Sequence, residues 1–294
     1  MNQAIFLDTP DNFSFRNTID SHGWRELLPF EIDEDSWQLT YVFAGDKGGK
    51  PVTGTLSEEP GRIRIELSGG EIDKIRVLRE ARHMLRLDDD LSGFYKQIRK
   101  EKPLAWIAKI KAGRMLRSPT VFEDLVKTIC TTNCSWGLTK KMVTNLVEKL
   151  GKPAGGGRRT FPTPKAMAKM TPDFYRTEIR AGYRSEYLAE LAERVASGKL
   201  DPESWLNSEL PTKELQKEMK NVKGVGDYAA ENLMKLIGRY DGLALDSWLR
   251  SQFYKKHNAG EVCEDKVIIE FYEKYGDWRG LLMWCEMREA WRDA

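Results

Sequence analysis

The stretch richest in potential chemistry is LQKEMKNVKGVGDYAAENLMKLIGRYDGLALDSWLR, residues 215–250. It reads as a helix, then Lys223-Gly224-Val225-Gly226, then a second helix from Asp227 to about Gly238. Two glycines flanking one apolar residue permit a very tight turn between helices. Such a turn aims backbone N–H groups outward at the start of the second helix. Together with the positive end of the helix dipole they form an anion site, and phosphate is the obvious anion. Lys223 would face the same anion, and Val225 would point inward and pin the hairpin to the body. A Gly-Val-Gly by itself also occurs in plain helix corners. After the second helix a short loop leads through the apolar run Leu243-Ala244-Leu245 to Asp246, where another helix starts with Ser247. A carboxylate at that position is either an N-cap or a functional group.

Other reactive residues are sparse. The four cysteines, Cys130, Cys134, Cys263 and Cys285, show no C-x-x-C spacing, and there are three histidines. That argues against a zinc site or an iron–sulfur cluster. Cys130 and Cys134 fall one helical turn apart, as a metal or redox pair or as two small, partly buried side chains. Net charge is only +2, but its distribution is uneven. Residues 1–100 carry 14 basic and 18 acidic side chains, residues 101–160 carry 12 and 4, residues 210–256 carry 9 and 6, and the last 38 carry 5 and 9. A positive middle between negative ends suits a protein that meets phosphates with one face, or arises by clustering on a solvated surface.

The elements that must hold these residues follow from pattern. WQLTYVF (37–43), VTGTL (52–56) and RIRIELS (62–68) alternate and are rich in β-branched or aromatic residues, with turn chemistry in GDKGGK and EEPG between them. They predict an antiparallel sheet. From residue 71 the period becomes helical, with Ile72, Ile75, Leu78 or Arg79, and Ala81 or Arg82 on one face. SPTVFEDLVKTICTT should open on Ser118 as cap, with Pro119 at the first helical position and an acidic first turn. SWGLTKKMVTNLVEKLG should end on Gly151 as a left-handed C-terminal glycine. KPAGGGRRTFPTP, from residue 152, reads as a flexible basic loop, and TPKAMAKM (163–170) as a short helix. SEYLAELAERVASGKL is amphipathic, with Leu188, Leu191, Ala192 and Val195 on one face. The fold class is α+β, mostly α: a β-rich N-terminal domain, residues 1–100, packed on a helical body, residues 101–294. No run of 18 apolar residues would span a membrane, and the N-terminal segment does not read as a secretory signal. The expected location is inside the cell.

The ordered set of hairpin, Gly-Val-Gly, second helix and an Asp 20 residues on resembles the helix-hairpin-helix (HhH-GPD) DNA glycosylases. The match continues outside that segment. PTVFEDLVKTICTTNCS resembles the helix of the 8-oxoguanine glycosylase branch that ends in an Asn-bearing loop, and AGYRSEYL resembles that branch's G-Y-R-x-x-Y segment. YGDWRGLLMWCE resembles the C-terminal helix that closes the base pocket. The resemblance covers about residues 104–290, and the N-terminal sheet region fits as well.

The resemblance implies an enzyme that flips a damaged base from duplex DNA and cuts its N-glycosidic bond. Its catalytic carboxylate falls on Asp246, which would stabilise oxocarbenium character on the sugar and orient or deprotonate water. Asn133 falls on the residue that fills the gap left by the flipped nucleotide, with a helix C-cap as its plain reading. Tyr183 would stack as a wedge, and Arg184 would read the orphaned base. Part of the family uses a Lys two residues after the second hairpin glycine as nucleophile. Here that position is Tyr228, which implies a monofunctional enzyme with water attacking; Lys223 and Lys235 are the nearby amines. Trp278, Gly280 and Trp284 would line the base pocket with Tyr228 and Asn232. Gly280 stands where the 8-oxoguanine branch has a Gln reader, and Trp284 where it has a stacking Phe. A larger aromatic face with no amide suits cationic alkylated purines such as 3-methyladenine.

An 8-oxoguanine-type purine-lesion glycosylase with an altered pocket is the alternative, and a non-catalytic helix-hairpin-helix DNA-binding protein the second. The implied partner is double-stranded DNA containing a damaged base, met by a monomer without membrane attachment. The resemblance implies no cofactor and no iron–sulfur cluster, with room for a monovalent cation bridging hairpin carbonyls and a phosphate.

Overall fold

In a computed structural model, residues 3–45, 49–70 and 73–289 are described. Ile72 and the centre of the 45–50 turn lie outside them. Five strands, β1 (Gln3–Asp8), β2 (Glu31–Asp33), β3 (Gln38–Phe43), β4 (Val52–Glu59) and β5 (Arg62–Gly69), form one antiparallel sheet in the order β1-β5-β4-β3-β2. The three strands read from alternation are β3, β4 and β5. Ile63, Ile65 and Leu67 reach the core on alternate positions, with Ile65 paired to Ile5 on one side and Leu56 on the other.

The helices are α1 (Phe15–Ile19), α2 (Lys74–Met84), α3 (Ser92–Ile98), α4 (Ala105–Lys109), α5 (Val121–Thr131), α6 (Trp136–Leu150), α7 (Pro164–Met167), α8 (Pro172–Thr177), α9 (Ser185–Ala196), α10 (Thr212–Lys220), α11 (Asp227–Leu236), α12 (Ser247–His257), α13 (Asp265–Glu273) and α14 (Arg279–Met287). The mostly helical α+β fold is as the sequence predicts, but three local expectations are corrected. On α2 the buried stripe is Val77, Ala81 and Met84, while Ile75 is 80% exposed. The cap of α5 is Thr120, whose hydroxyl accepts from the Glu123 amide, and not Ser118. Gly151 is extended rather than left-handed, at φ −70° and ψ 146°. A Cβ there would lie 2.1 Å from the Thr160 carbonyl oxygen, so close approach explains the glycine.

Helix α5 is the centre of the body, and it carries charge into the core. Glu123, Asp124 and Lys127 are all buried. Lys127 pairs with Glu123 at 2.6 Å, and the Tyr41 hydroxyl of β3 donates to Glu123 at 2.7 Å. The Trp24 indole and the Ser118 amide both donate to Asp124 Oδ1, at 2.7 and 2.9 Å. Burial still pushes the Asp124 pKa up to about 6. At the N-terminus of α5, Glu203 accepts the Val121 and Phe122 amides at 2.9 and 3.0 Å. These bonds tie sheet and helices together, and a single cluster of buried apolar residues runs through both.

The basic middle of the chain is partly spent on structure. Arg114 and Lys127 are buried, Arg158 pairs with Glu31 at 2.7 Å, and Arg159 donates to the Gly151 carbonyl. The loop from residue 152 is therefore tied back to the sheet side and to its own stem.

Glu203→Ala strips both partly buried amides of their acceptor. An unmade hydrogen bond of this kind costs about 1–3 kcal/mol. Urea denaturation should show a lower midpoint at unchanged slope; an unchanged midpoint would mean that α5 does not depend on this cap.

Candidate active site

A cleft of about 1290 Å³ opens where four parts of the chain converge. They are the segment His22–Glu26, the end of α5 with the loop to Trp136, the α10–α11 hairpin, and Asp246–Trp248 with Trp284 and Arg288. Each is set by local chemistry. In the hairpin, Gly224 has φ +90°, and a Cβ there would stand 2.8 Å from the Tyr187 ring. Val225 is buried, as the turn requires. Gly226 is the N-cap of α11 and offers no side chain to its first amides, and the space above it is open. Lys220 pairs with Asp227 at 2.6 Å, and Lys223 with Glu190 at 2.5 Å. Such exposed pairs contribute at most about 1 kcal/mol, so an incoming anion displaces them easily.

Asp246 is both a cap and a cleft residue. Its Oδ1 accepts the Leu249 amide at 2.7 Å at the start of α12, and the side chain is half-buried on the cleft wall. Tyr228, on the first turn of α11, brings its hydroxyl among Thr131, Asn232 and the Asp246 carboxylate. Burial first, then the Asp246 charge, pushes the phenol up to about 12, so it stays a neutral donor. The Asn232 amide donates back to the Tyr228 carbonyl at 2.9 Å. Lys235 does not line the cleft. It is fully buried behind it, donating to the Leu243 carbonyl at 2.7 Å, and burial pulls its pKa down to about 8.

On the opposite rim Asn133 is exposed with φ +46°; the C-cap of α5 is Thr132, and Asn133 follows it in the left-handed conformation on the cleft lining. Tyr183 is half exposed, packs edge-on to Tyr187, and donates to the Thr132 carbonyl at 3.3 Å. Ser247 is exposed on the first turn of α12. Arg184 departs from expectation. It is buried, its Nε donates to the Ile129 carbonyl at 3.2 Å, and its Nη2 donates to the Thr132 carbonyl. Its guanidinium closes the end of α5 rather than facing a base.

Two of the aromatic-helix residues are also displaced from the cleft. Trp278 stacks on Tyr240 at 5.6 Å, away from it. Gly280 is buried against the 240–242 loop: its amide donates to the Tyr240 carbonyl at 2.7 Å, and a Cβ would sit 1.9 Å from the Gly242 oxygen. Close backbone packing, not a missing base reader, accounts for this glycine. Trp284 does line the cleft, with its indole donating to the Ser21 carbonyl at 2.9 Å and its ring 6.1 Å from Trp248. Sequence reasoning missed Trp248, Trp136, Thr128 and the His22–Trp24 segment. Trp248 lies two residues past Asp246 and was open to being found; the others join the site only through the tertiary fold. Among the described residues no cluster of His, Cys, Asp and Glu could hold a metal. Cys130 is buried and Cys134 bonds the Cys130 carbonyl at 3.1 Å, two packed thiols.

No family model matches the chain. DNA-3-methyladenine glycosylase of Bacillus subtilis is 24% identical over 210 residues, 66% of this chain and 69% of that protein. MBOgg1 in complex with a low-affinity DNA ligand superposes with a TM-score of 0.77 at 21% identity, over 98% of this chain and 96% of that one. The 3-methyladenine DNA glycosylase of Archaeoglobus fulgidus gives 0.76 at 18%, over 97% and 98%. The 8-oxoguanine glycosylase/lyase of Clostridium acetobutylicum gives 0.74 at 20%, over 97% and 96%. The chain thus has, from end to end, the fold of these DNA glycosylases, and the resemblance to the helix-hairpin-helix glycosylases holds. No described helix is long and apolar enough to cross a membrane.

His22, on the cleft lining, makes stability depend on pH. Its Nε2 faces the Leu116 carbonyl, and burial pulls its pKa from 6.5 down to about 3. Between those values the unfolded chain holds a proton that the folded ring refuses, so stability is lost as pH falls below 6.5. The stability advantage of wild type over His22→Gln should shrink by roughly 2 kcal/mol between pH 7.5 and 5. Urea titrations at the two pH values test this; a constant gap would mean that the ring titrates normally.

Proposed function

We propose that this protein is a base-excision DNA glycosylase that hydrolyses the N-glycosidic bond of a flipped, damaged purine without a covalent amine intermediate. The observation that carries the reading is Asp246 and Tyr228 together on one cleft wall. A carboxylate stands where sugar charge would develop, and a neutral phenol stands where an amine nucleophile would be needed. The Leu249 amide holds Asp246 in one orientation at a helix N-terminus. As the base departs, the carboxylate stabilises the oxocarbenium-like sugar and accepts a proton from the attacking water. The open amides of the α10–α11 hairpin and Lys223 receive backbone phosphate. Asn133 and Tyr183 on the far rim fill the space of the extruded nucleotide and meet its partner base.

The substrate we propose is an alkylated purine, 3-methyladenine or a close relative. Trp284, Trp248 and Tyr228 offer ring faces without a side-chain amide from α14, and such faces attract a cationic base. A cationic base is also the better leaving group, so a carboxylate and water suffice. The exposed left-handed Asn133 beside Tyr183 favours a second reading, an 8-oxoguanine-type purine-lesion enzyme.

Asp246→Asn should lower base release by at least about 10²-fold while affinity for damaged duplex stays within a few-fold. Unchanged turnover would remove Asp246 from the chemistry, and lost binding would make it a structural cap. Duplexes bearing 7-methylguanine, 3-methyladenine, hypoxanthine, 8-oxoguanine or uracil should be cut at the alkylated bases only after hot alkali. Cleavage at 8-oxoguanine without alkali would establish an amine nucleophile and the second reading.

A further inference from the structure

The loop between α11 and α12 carries Asp246, and two side chains of α11 grip it from behind. Glu231 accepts the backbone N–H of Ala244, and Lys235 donates to the carbonyl of Leu243 at 2.7 Å. These are the two polar groups of one peptide bond, and Glu231 and Lys235 are one helical turn apart, so a single helix face holds both. Lys235 is fully buried. Ala244 has φ +53°, a left-handed conformation that a non-glycine residue keeps only when its surroundings impose it. Other contacts fix the loop's approach: Gly280 N–H to the Tyr240 carbonyl, Arg279 Nε to the Asp241 carbonyl, Arg239 to the Ser208 and Leu210 carbonyls, and Arg86 and Arg117 to the end of α11. None of them reaches the residues next to Asp246.

A buried lysine is costly to keep, because its charge is taken out of water. Lys235 is not among the residues that line the cleft. Its bond to Leu243 and its place behind Trp284, with Nζ 5.8 Å from that ring, are what it does in this fold. We infer that Glu231 and Lys235 form a clamp on the Leu243–Ala244 backbone that sets the position of the Asp246 carboxylate in the cleft. They are positioning residues, and the inference rests on Asp246 being the catalytic carboxylate. A displacement of about 1 Å at a reacting group can cost about 10²-fold in rate, so the clamp acts on the chemical step and not on DNA affinity.

The test compares Glu231→Gln, Glu231→Met and Lys235→Met with wild type in single-turnover release of 7-methylguanine, with binding to a duplex carrying a tetrahydrofuran abasic analogue measured alongside. Both Met variants should release base about 10- to 100-fold more slowly with analogue affinity within about threefold of wild type. Glu231→Gln keeps an acceptor for the Ala244 amide and should stay within a few-fold of wild type. Met variants at wild-type rate, or a Gln variant as slow as the Met variant, would overturn the clamp. If Lys235→Met does not fold, the Glu231 pair decides. Hydrogen exchange at the Ala244 amide, read without DNA, follows the clamp by itself: protection lost in Glu231→Met supports it, and unchanged protection overturns it. Wild type inactive on every lesion would instead defeat the proposed activity, so the two failures are told apart.

Discussion

The structure depends on one requirement: the charges that α5 takes into the core must be satisfied there. A buried, unpaired ion costs several kcal/mol, so each partner is fixed in place by the group it serves. Glu123 draws in Lys127 and Tyr41 and so fastens the sheet. Asp124 draws in Trp24, which brings the His22–Glu26 segment across the molecule to the cleft. Glu203 finishes one end of the helix and Arg184 the other. The rim bearing Asn133 therefore stands on a helix held at both ends, and the N-terminal region is a wall of the site rather than an appendage.

The other wall is built on a different economy, in which one group serves two purposes. Asp246 caps α12 and faces the cleft, so the helix that needs the cap also holds the carboxylate in one orientation. Asn133 follows the Thr132 cap of α5 in a left-handed turn that sets it on the cleft. Gly226 opens α11 and leaves its amides free for an anion. In each case the end of a helix supplies a group whose direction is fixed by backbone geometry, the rigidity that the proposed function asks of the site.

The sequence was informative where chemistry is local. The hairpin, the carboxylate 20 residues on and the phenol at Tyr228 lie in one stretch, and it is the family resemblance of that stretch that gave them their expected roles. The strands β3, β4 and β5 alternate clearly, whereas β2 is three residues long and too short to show a period. Ser118 and Thr120 are both good caps, and in the fold Ser118 is engaged by buried charges instead, its amide by Asp124 and its hydroxyl by Lys127. Trp24 and Asp124 are 100 residues apart, so nothing local announces that His22 and Trp24 join the site. Arg184, Trp278 and Gly280 matched by motif but sit elsewhere, because a motif gives the element and not the direction of each side chain.

The contact between Gly280 and the 240–242 loop also bears on how such a protein can change over evolutionary time. Tyr240 and Gly242 already fill the volume that any side chain at 280 would need. A reader of base edges cannot be acquired there by one substitution while the loop keeps its course. The loop would have to be rerouted first, and the loop also carries the carboxylate. Under the proposed function, recognition and catalysis are thus not separate modules: a new lesion contact through this helix requires an intermediate with a disturbed Asp246 loop, and new contacts come more simply from the tryptophan walls.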